Sequence, residues 1–300
     1  MKDFHIHIYP RPKPVAEPGE FLRRTVEAGV DGGAVFSLPP ASSTEHAEDV
    51  KEWRERLDGV LSFTSQTPGF LPILRMDPTE SDAREQVLTA AERGIRGFKV
   101  ICTHFYPKEC LEIFRLIADT GLPLIFHSGI LWGPNASAEY NRPVNFEHLI
   151  YVKGLRFSLA HIGWPWCEEY AALYGRFAYQ HGAGLLSGGT EFFVDLTPGT
   201  PFSRRREMLR MLFSLGYDLA RNVLWGSDGS TNSYPVRNVR QWLDLDRGIF
   251  REIQNLAEIS PLSSGLAERS QEDASSPPED LFSRIADRNF ERFFSRAEQS

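Results

Sequence analysis

Histidine and aspartate side chains stand at or near the ends of short apolar segments in this chain. His5 and His7 occur in DFHIHIYP, His127 in PLIFHSG, His161 in RFSLAHIGW and Asp228 in VLWGSDGS. Imidazoles and carboxylates bind divalent zinc in catalytic sites, and imidazoles transfer protons near neutral pH. The pattern predicts a metal-assisted site assembled from distant parts of the sequence.

The His-x-His pair predicts the geometry of one wall of this site. Side chains alternate faces along a strand, so His5 and His7 point the same way, about 6.6 Å apart. His127 and Asp228 are the predicted remaining ligands. Asp3 shares the same alternation, and it could orient an imidazole from outside the ligand set. A single histidine would more simply be a hydrogen-bonded core residue, but the combination favours a metal site.

Two further polar residues have open roles. His161 could be a general acid or base, or it could be an additional or bridging ligand. Lys99, in RGFKV, ends a predicted strand and could pair with a carboxylate or with an anionic substrate.

Strand-like and helix-like segments alternate along the chain, which predicts an α/β fold, a (β/α)8 TIM barrel. Catalytic residues of such barrels lie at the carboxyl ends of the strands. An open doubly wound sheet is the alternative, but no glycine-rich dinucleotide motif follows the first strand. The predicted strands are 4–9, 33–38, 70–76, 95–101, 122–127, 155–161, 191–196 and 222–226. The predicted helices between and after them include 20–28, 44–57, 81–93, 108–119, 144–152, 166–181 and 203–215.

The C-terminal part predicts an extension of a single domain that spans residues 1–300. Residues 254–280 are rich in Ser, Glu and Pro, which is typical of irregular structure. Residues 281–297 carry apolar side chains at helical spacing, so we expect a helix that packs on the barrel.

Composition restricts the class of protein. The formal net charge of −7 argues against nucleic acid as a partner. The three cysteines show no CxxC spacing, which indicates reduced thiols in a cytoplasmic protein. No apolar run reaches the roughly 20 residues that span a bilayer, and no signal-peptide core opens the chain, so neither membrane insertion nor export is expected.

The long segment after His127 predicts the substrate-binding surface, because loops after strands form the mouth of a barrel. Trp132 could stack on a planar substrate or anchor the loop to the rim. Arg142 could clamp a carboxylate or form a surface ion pair. Trp164 could wall the pocket or pack against the following helix.

Several of these segments together resemble the amidohydrolase superfamily, most closely its aminocarboxymuconate-semialdehyde decarboxylase-like branch. The resemblance extends over residues 3 to 295 and rests on DFHIHIYP, GFKV, PLIFHSG, LAHIGWPW, VLWGSDGS and NFERFF. It implies one divalent ion, Zn²⁺ or Mn²⁺, held by His5, His7, His127 and Asp228, with His161 beside it. In some members of the superfamily, the lysine corresponding to Lys99 is carboxylated and bridges two ions. Relatives commonly pair, so a homodimer is plausible.

The function expected from these residues is hydrolysis of a C–O or C–N bond in a small carboxylated compound, such as a lactone or an amide. In this scheme the ion activates water, Asp228 takes its proton and His161 assists the nucleophile. The alternative is a metal-dependent non-oxidative decarboxylase of an aromatic or muconate-like acid. A third hypothesis is a non-catalytic barrel that binds a metal or a metabolite.

Overall fold

A closed parallel sheet with helices around it forms the body of the protein. The computed structural model describes residues 1–10, 17–44, 46–132, 136–184, 189–217, 219–259 and 281–295. Within these residues the strands pair in the order β8-β7-β6-β5-β4-β3-β2-β1-β9. The predicted (β/α)8 barrel is confirmed. The strands are β1 Lys2–His7, β2 Gly32–Phe36, β3 Phe70–Arg75, β4 Gly97–Val100, β5 Leu124–Phe126, β6 Arg156–Leu159, β7 Glu191–Asp195, β8 Val223–Leu224 and β9 Gly229–Ser230.

The eighth strand of the barrel is interrupted, and the two short pieces close the sheet from both sides. β8 pairs with β7, and β9 pairs with β1. Between the pieces, the carbonyl of Trp225 accepts a hydrogen bond of 2.8 Å from the Phe4 amide, which continues the closure. Residues 226–228 therefore leave the regular strand where the barrel opens, and Asp228 is one of them.

The helices follow the strands in alternation, as the sequence predicted, although two segments differ. Predicted helix 44–57 is replaced by 3₁₀ turns at Ala41–Ser43 and Ala47–Asp49, and the α-helix begins only at Trp53. Predicted helix 144–152 is a 3₁₀ helix over Pro143–Tyr151. The α-helices are α1 Pro18–Glu27, α2 Trp53–Ser65, α3 Ala83–Glu92, α4 Leu111–Asp119, α5 Cys167–Gly182, α6 Arg205–Ser214, α7 Val236–Ile259 and α8 Leu281–Phe294.

A phenylalanine cluster fills one end of the barrel. Phe293 of α8 is fully buried, and its ring centroid lies 5.1 Å from that of Phe4 and 4.9 Å from that of Phe193. Inward-facing residues of the other strands join this cluster, including Ile73 and Ile125. The C-terminal helix therefore packs on the barrel. Its aromatic face closes the end opposite the carboxyl ends of the strands.

Part of the stretch expected to be irregular is helical. Helix α7 continues to Ile259, so residues 254–259 are helical. Residues 260–280 of that stretch lie outside the described part of the chain, as do residues 296–297 of the predicted final helix. Among the described residues, no helix combines the length and the hydrophobicity that a membrane span requires.

Candidate metal centre

A pocket of about 240 Å³ opens at the carboxyl ends of the strands. Its position agrees with the placement of active sites in barrels of this kind. The pocket brings together all of the predicted site residues except Arg142. Those that line it are His5, His7, Lys99, His127, Trp132, His161, Trp164 and Asp228.

Asp228 lies among the histidines. Its Oδ1 is 3.2 Å from His7 Nε2 and 3.7 Å from His5 Nε2. One possible ligand atom from each of His5, His161 and Asp228 falls within 4.8 Å of the others. Loss of hydration tends to raise the pKa of the Asp228 carboxyl. The hydrogen bond from His7 and the electrostatic interactions with His161 and His5 outweigh this effect and lower the pKa below its ordinary range.

Asp195 fixes the tautomer of His5. His5 Nδ1 lies 3.1 Å from Asp195 Oδ2, and a carboxylate only accepts hydrogen bonds, so Nδ1 carries the proton. His5 Nε2 then presents a lone pair toward an oxygen of Asp228 at 3.7 Å. Two acceptors that face each other in a buried site suit a cation between them. A carboxylate behind a histidine is also a common arrangement around metal sites.

Asp3 does not have the predicted role. Its Oδ1 accepts hydrogen bonds from the backbone amides of His5 and Ser227, and its Oδ2 accepts one of 2.6 Å from the Tyr234 hydroxyl. The pairing register of β1 shifts between Asp3 and Ile6, which breaks the regular alternation of faces. Asp3 consequently braces the backbone around the site, and Asp195 is the residue that orients an imidazole.

A backbone carbonyl group holds one side of the His161 ring through a hydrogen bond. Its Nδ1 lies 3.1 Å from the carbonyl oxygen of Pro198, so Nδ1–H donates and Nε2 keeps a lone pair. The ring centroid is 4.9 Å from that of His127 and 5.3 Å from that of His5. The φ angles of His161, Ile162 and Asp228 are 64°, 54° and 57°. Left-handed backbone at non-glycine residues is costly, and it concentrates at functional sites.

Two ring nitrogens of the site are buried and have no hydrogen-bond partner in the described part of the protein: His7 Nδ1 and His127 Nε2. Burial lowers the pKa values of His5 and His127 well below the ordinary value and that of His7 to about 4. These imidazoles are therefore neutral near pH 7, which is the form that binds a metal ion.

Lys99 lies deep in the barrel beneath the histidines. Its Nζ is 3.5 Å from His5 Nε2, and its side chain is only 1% exposed. Burial lowers the pKa of Lys99 to about 7, although the charges of Asp195 and Asp228 oppose this change. Lys99 thus contacts the inner side of the candidate centre, where it adds positive charge when protonated.

The predicted substrate-binding residues have different positions. Trp132 lies at the rim of the pocket with 83% of its surface exposed, and Trp164 is half-buried in the wall. Arg142 is not part of the lining. Its Nε donates a hydrogen bond of 2.7 Å to Glu169, and its side chain is half exposed. The contact that the structure shows for Arg142 is the surface ion pair, which was the alternative at this position.

Arg75 and Ser42 also line the pocket, and neither was predicted from the sequence. Arg75 ends β3, where its side chain is 5% exposed. A charged residue at the end of the apolar segment FLPIL was the available signal, and the same signal had marked Lys99. Ser42 belongs to the 3₁₀ turn after β2, and no local pattern distinguishes it from its neighbours.

Comparison with a family model gives a match to Amidohydrolase over residues 3–296. This range includes the described strands and helices from β1 to α8, apart from the first residue of β1. None of the curated proteins searched matches the chain significantly.

Solved structures with the same fold are similar over nearly the whole chain. A 5-carboxyvanillate decarboxylase from Novosphingobium aromaticivorans, complexed with manganese and 4-hydroxy-3-methoxy-5-nitrobenzoic acid, is 13% identical, with a TM-score of 0.56 and coverage of 97% of this chain and 95% of that one. A probable 2-pyrone-4,6-dicarboxylic acid hydrolase from Acinetobacter baumannii, with citric acid bound, is 10% identical, with a TM-score of 0.53 and coverage of 94% and 98%. A dihydroorotase from Campylobacter jejuni is 12% identical, with a TM-score of 0.53 and coverage of 100% and 84%.

Proposed function

This chain belongs to the amidohydrolase family, and on that premise we propose that it is a metal-dependent hydrolase of a C–O or C–N bond in a small molecule. The observation that carries the proposal is the convergence of neutral imidazoles on an accessible carboxylate. His5 and His7 are almost fully buried, whereas the Asp228 side chain is 41% exposed. Water can therefore reach Asp228 at the point where the imidazole nitrogens meet.

The donor set suits one divalent ion. We propose His5, His7, His127 and Asp228 as ligands, because the buried His127 Nε2 has no partner among the described residues and His5 Nε2 faces the Asp228 carboxylate. Three imidazoles and one carboxylate favour Zn²⁺, and Mn²⁺ is also compatible. When bound, such an ion makes water more acidic and polarises a carbonyl group.

Asp228 is the proposed proton carrier. An exposed, ionised carboxylate can accept a proton from water in the pocket and deliver it to a leaving group. Its left-handed backbone, with φ of 57°, directs the side chain from the interrupted eighth strand into the mouth.

His161 is the proposed second catalytic group. The Pro198 carbonyl holds its Nδ1 proton, so Nε2 can accept a hydrogen bond from water or receive a proton. Its proximity to His5 and Asp228 also permits a role as a ligand. The metal content of a His161→Asn variant separates the two roles: a retained ion supports proton transfer, and a lost ion makes His161 a ligand.

We also propose a cytoplasmic location. All three cysteines are buried and free, as is usual for proteins of reducing compartments.

Elemental analysis of protein purified without chelators tests the metal centre. We expect about one divalent ion per chain in the wild type and in a His148→Ala control, whose histidine is exposed away from the pocket. The ion should be lost in His5→Ala and in Asp228→Ala. Absence of metal from the wild type would overturn the centre, and two ions per chain would implicate Lys99 in a bridge.

The reaction is tested by screening lactones, amides and aromatic acids in ¹⁸O-labelled water. Hydrolysis predicts one labelled oxygen atom in the product carboxyl group. Release of carbon dioxide from an aromatic or muconate-like acid, without turnover of lactones or amides, would replace hydrolysis by decarboxylation. Metal binding without turnover of any of these compounds would favour a binding barrel.

A further inference from the structure

Arg75 has a buried guanidinium group, and two of its three nitrogen atoms make no hydrogen bond to the described residues. The side chain lines the candidate pocket and is 5% exposed. Its Nε and Nη1 are buried, and neither makes a hydrogen bond within the described residues. An unsatisfied buried donor costs about 1–3 kcal/mol, and more when the group is charged. Such a cost is offset when a ligand supplies the acceptor.

Two hydrogen bonds hold the backbone of Arg75, so the fold fixes the position from which its side chain extends. Its amide donates to Ser37 Oγ at 2.9 Å, and its carbonyl accepts from the buried Arg56 guanidinium. Arg56 carries a positive charge like that of Arg75, so this contact does not neutralise the Arg75 guanidinium.

The surroundings of Arg75 favour an anion. The pocket lining includes the Arg75 guanidinium and the Lys99 amine, which is cationic when protonated, and Asp228 is its one carboxylate among the described residues. The whole chain has a formal net charge of −7, so this positive site contrasts with the rest of the protein. Positive clefts concentrate anionic ligands. Ser42 adds a buried hydroxyl that also has no partner in the described structure.

Another part of the lining is apolar. Ile130, Leu131, Trp132 and Trp164 contribute to it. A pocket of about 240 Å³ lies just below the usual range of roughly 300–1,000 Å³ for drug-sized ligands, so it suits a small molecule.

We propose that Arg75, assisted by Ser42, binds a carboxylate of the substrate and is the main determinant of specificity for acids. This inference rests on the proposed function, and it moves carboxylate recognition from Arg142 to Arg75. The planar guanidinium matches a planar carboxylate, and the tryptophans accommodate an apolar body attached to it. The expected substrate is therefore a small acid in which the scissile bond and the carboxylate are separate groups.

Calorimetric titration of the full-length, metal-loaded protein with benzoate and benzamide tests this assignment. The two probes have nearly the same shape and differ in charge. We expect the wild type to prefer benzoate, and Arg75→Met to lose about 10- to 100-fold of that preference. Arg75→Lys should retain part of it, and Ser42→Ala should weaken benzoate binding by a few-fold. Arg142→Met is the matched control and should behave like the wild type.

Metal content measured on the same samples separates this inference from the proposed function. If the protein contains no metal but its preference for benzoate depends on Arg75, the proposed metal-dependent function is overturned and the inference about Arg75 stands. An unchanged preference in Arg75→Met, or no preference in the wild type, would overturn the inference even if the ion is present. Tighter Arg75-dependent binding of inorganic phosphate than of benzoate would also overturn it, in favour of a phosphate ester. If Arg75→Met does not fold, Arg75→Lys and Ser42→Ala provide the same comparison.

Discussion

The two ends of the barrel use buried side chains in opposite ways. At the end closed by α8, Phe4, Phe193 and Phe293 pack edge to face with ring centroids 4.9–5.1 Å apart. At the open end, buried polar atoms of His7, His127 and Arg75 have no hydrogen-bond partner within the described residues. The closed end is packed with apolar rings, and the open end keeps buried polar groups that have no protein partner among the described residues.

The difference indicates a division of labour along the strands, with stability supplied at the closed end and ligand binding at the open end. Well-packed aromatic clusters contribute to the free energy of unfolding, whereas unpaired buried polar groups and left-handed backbone reduce it. Side chains at the open end should therefore affect activity and metal binding more than stability. Side chains at the closed end should do the reverse.

The largest effect is expected from Asp228→Asn at the open end. Loss of a proposed metal ligand that also accepts and donates the reaction's proton should lower kcat by at least about 10²–10⁴-fold. Steady-state kinetics on the substrate found by screening measures this change. The free energy of unfolding of the metal-free protein should stay within about 1 kcal/mol of the wild type. A variant with full activity would remove Asp228 from the mechanism.

Phe293→Ala tests the closed end. The ring is fully buried, and its removal should lower the free energy of unfolding by about 3–5 kcal/mol, as measured by urea denaturation. Val26→Ala serves as the control, because Val26 is 69% exposed and should change stability by less than about 0.5 kcal/mol. Folded Phe293→Ala should retain its metal. Loss of metal from the folded variant would contradict the division of labour.

Asp195→Asn tests a residue inside the barrel that contacts the site through its hydrogen bond with His5. An amide cannot replace the carboxylate that fixes the His5 tautomer, so metal affinity should fall about 10–100-fold. Competition with a chelator measures the affinity. The exposed Asp119→Asn on α4 is the control with the same chemical change. Equal affinities in both variants would show that Asp195 only fills space.

The smallest effect is expected from Arg142→Ala. The ion pair with Glu169 is half exposed, so its removal should change the free energy of unfolding by at most about 1 kcal/mol. Activity should be unchanged, because Arg142 does not line the pocket. A large rise in KM would indicate that Arg142 binds the substrate.

The sequence predicted the fold and the location of the site for one physical reason. Strands covered on both faces are almost continuously apolar, so a polar residue at a strand end is conspicuous. His127, Lys99 and Asp228 were recognised in this way, and all three line the pocket. Arg75 carries the same signal and was overlooked.

Tertiary geometry determined the features that the sequence did not predict. The register shift in β1 turned Asp3 away from the imidazoles, and Asp195, which is distant in sequence, took that position. The segment after β2 was expected to be helical from residue 44. Instead, residues 42–44 line the pocket, and α2 starts at Trp53. Local periodicity contains no information about either pairing register or the path of a loop across a barrel mouth.

The way in which β1 is enclosed has a consequence for the folding of the chain. Its backbone bonds to Trp225, its Gly229–Ser230 partner strand lies far along the chain, and its Phe4 ring packs on Phe293. Contacts between such distant residues slow folding. One edge of the segment FHIHI therefore stays unpaired until residues 225–230 of the 300-residue chain have been synthesised. We expect this edge to be the main site of aggregation during expression, and to be the segment on which molecular chaperones act.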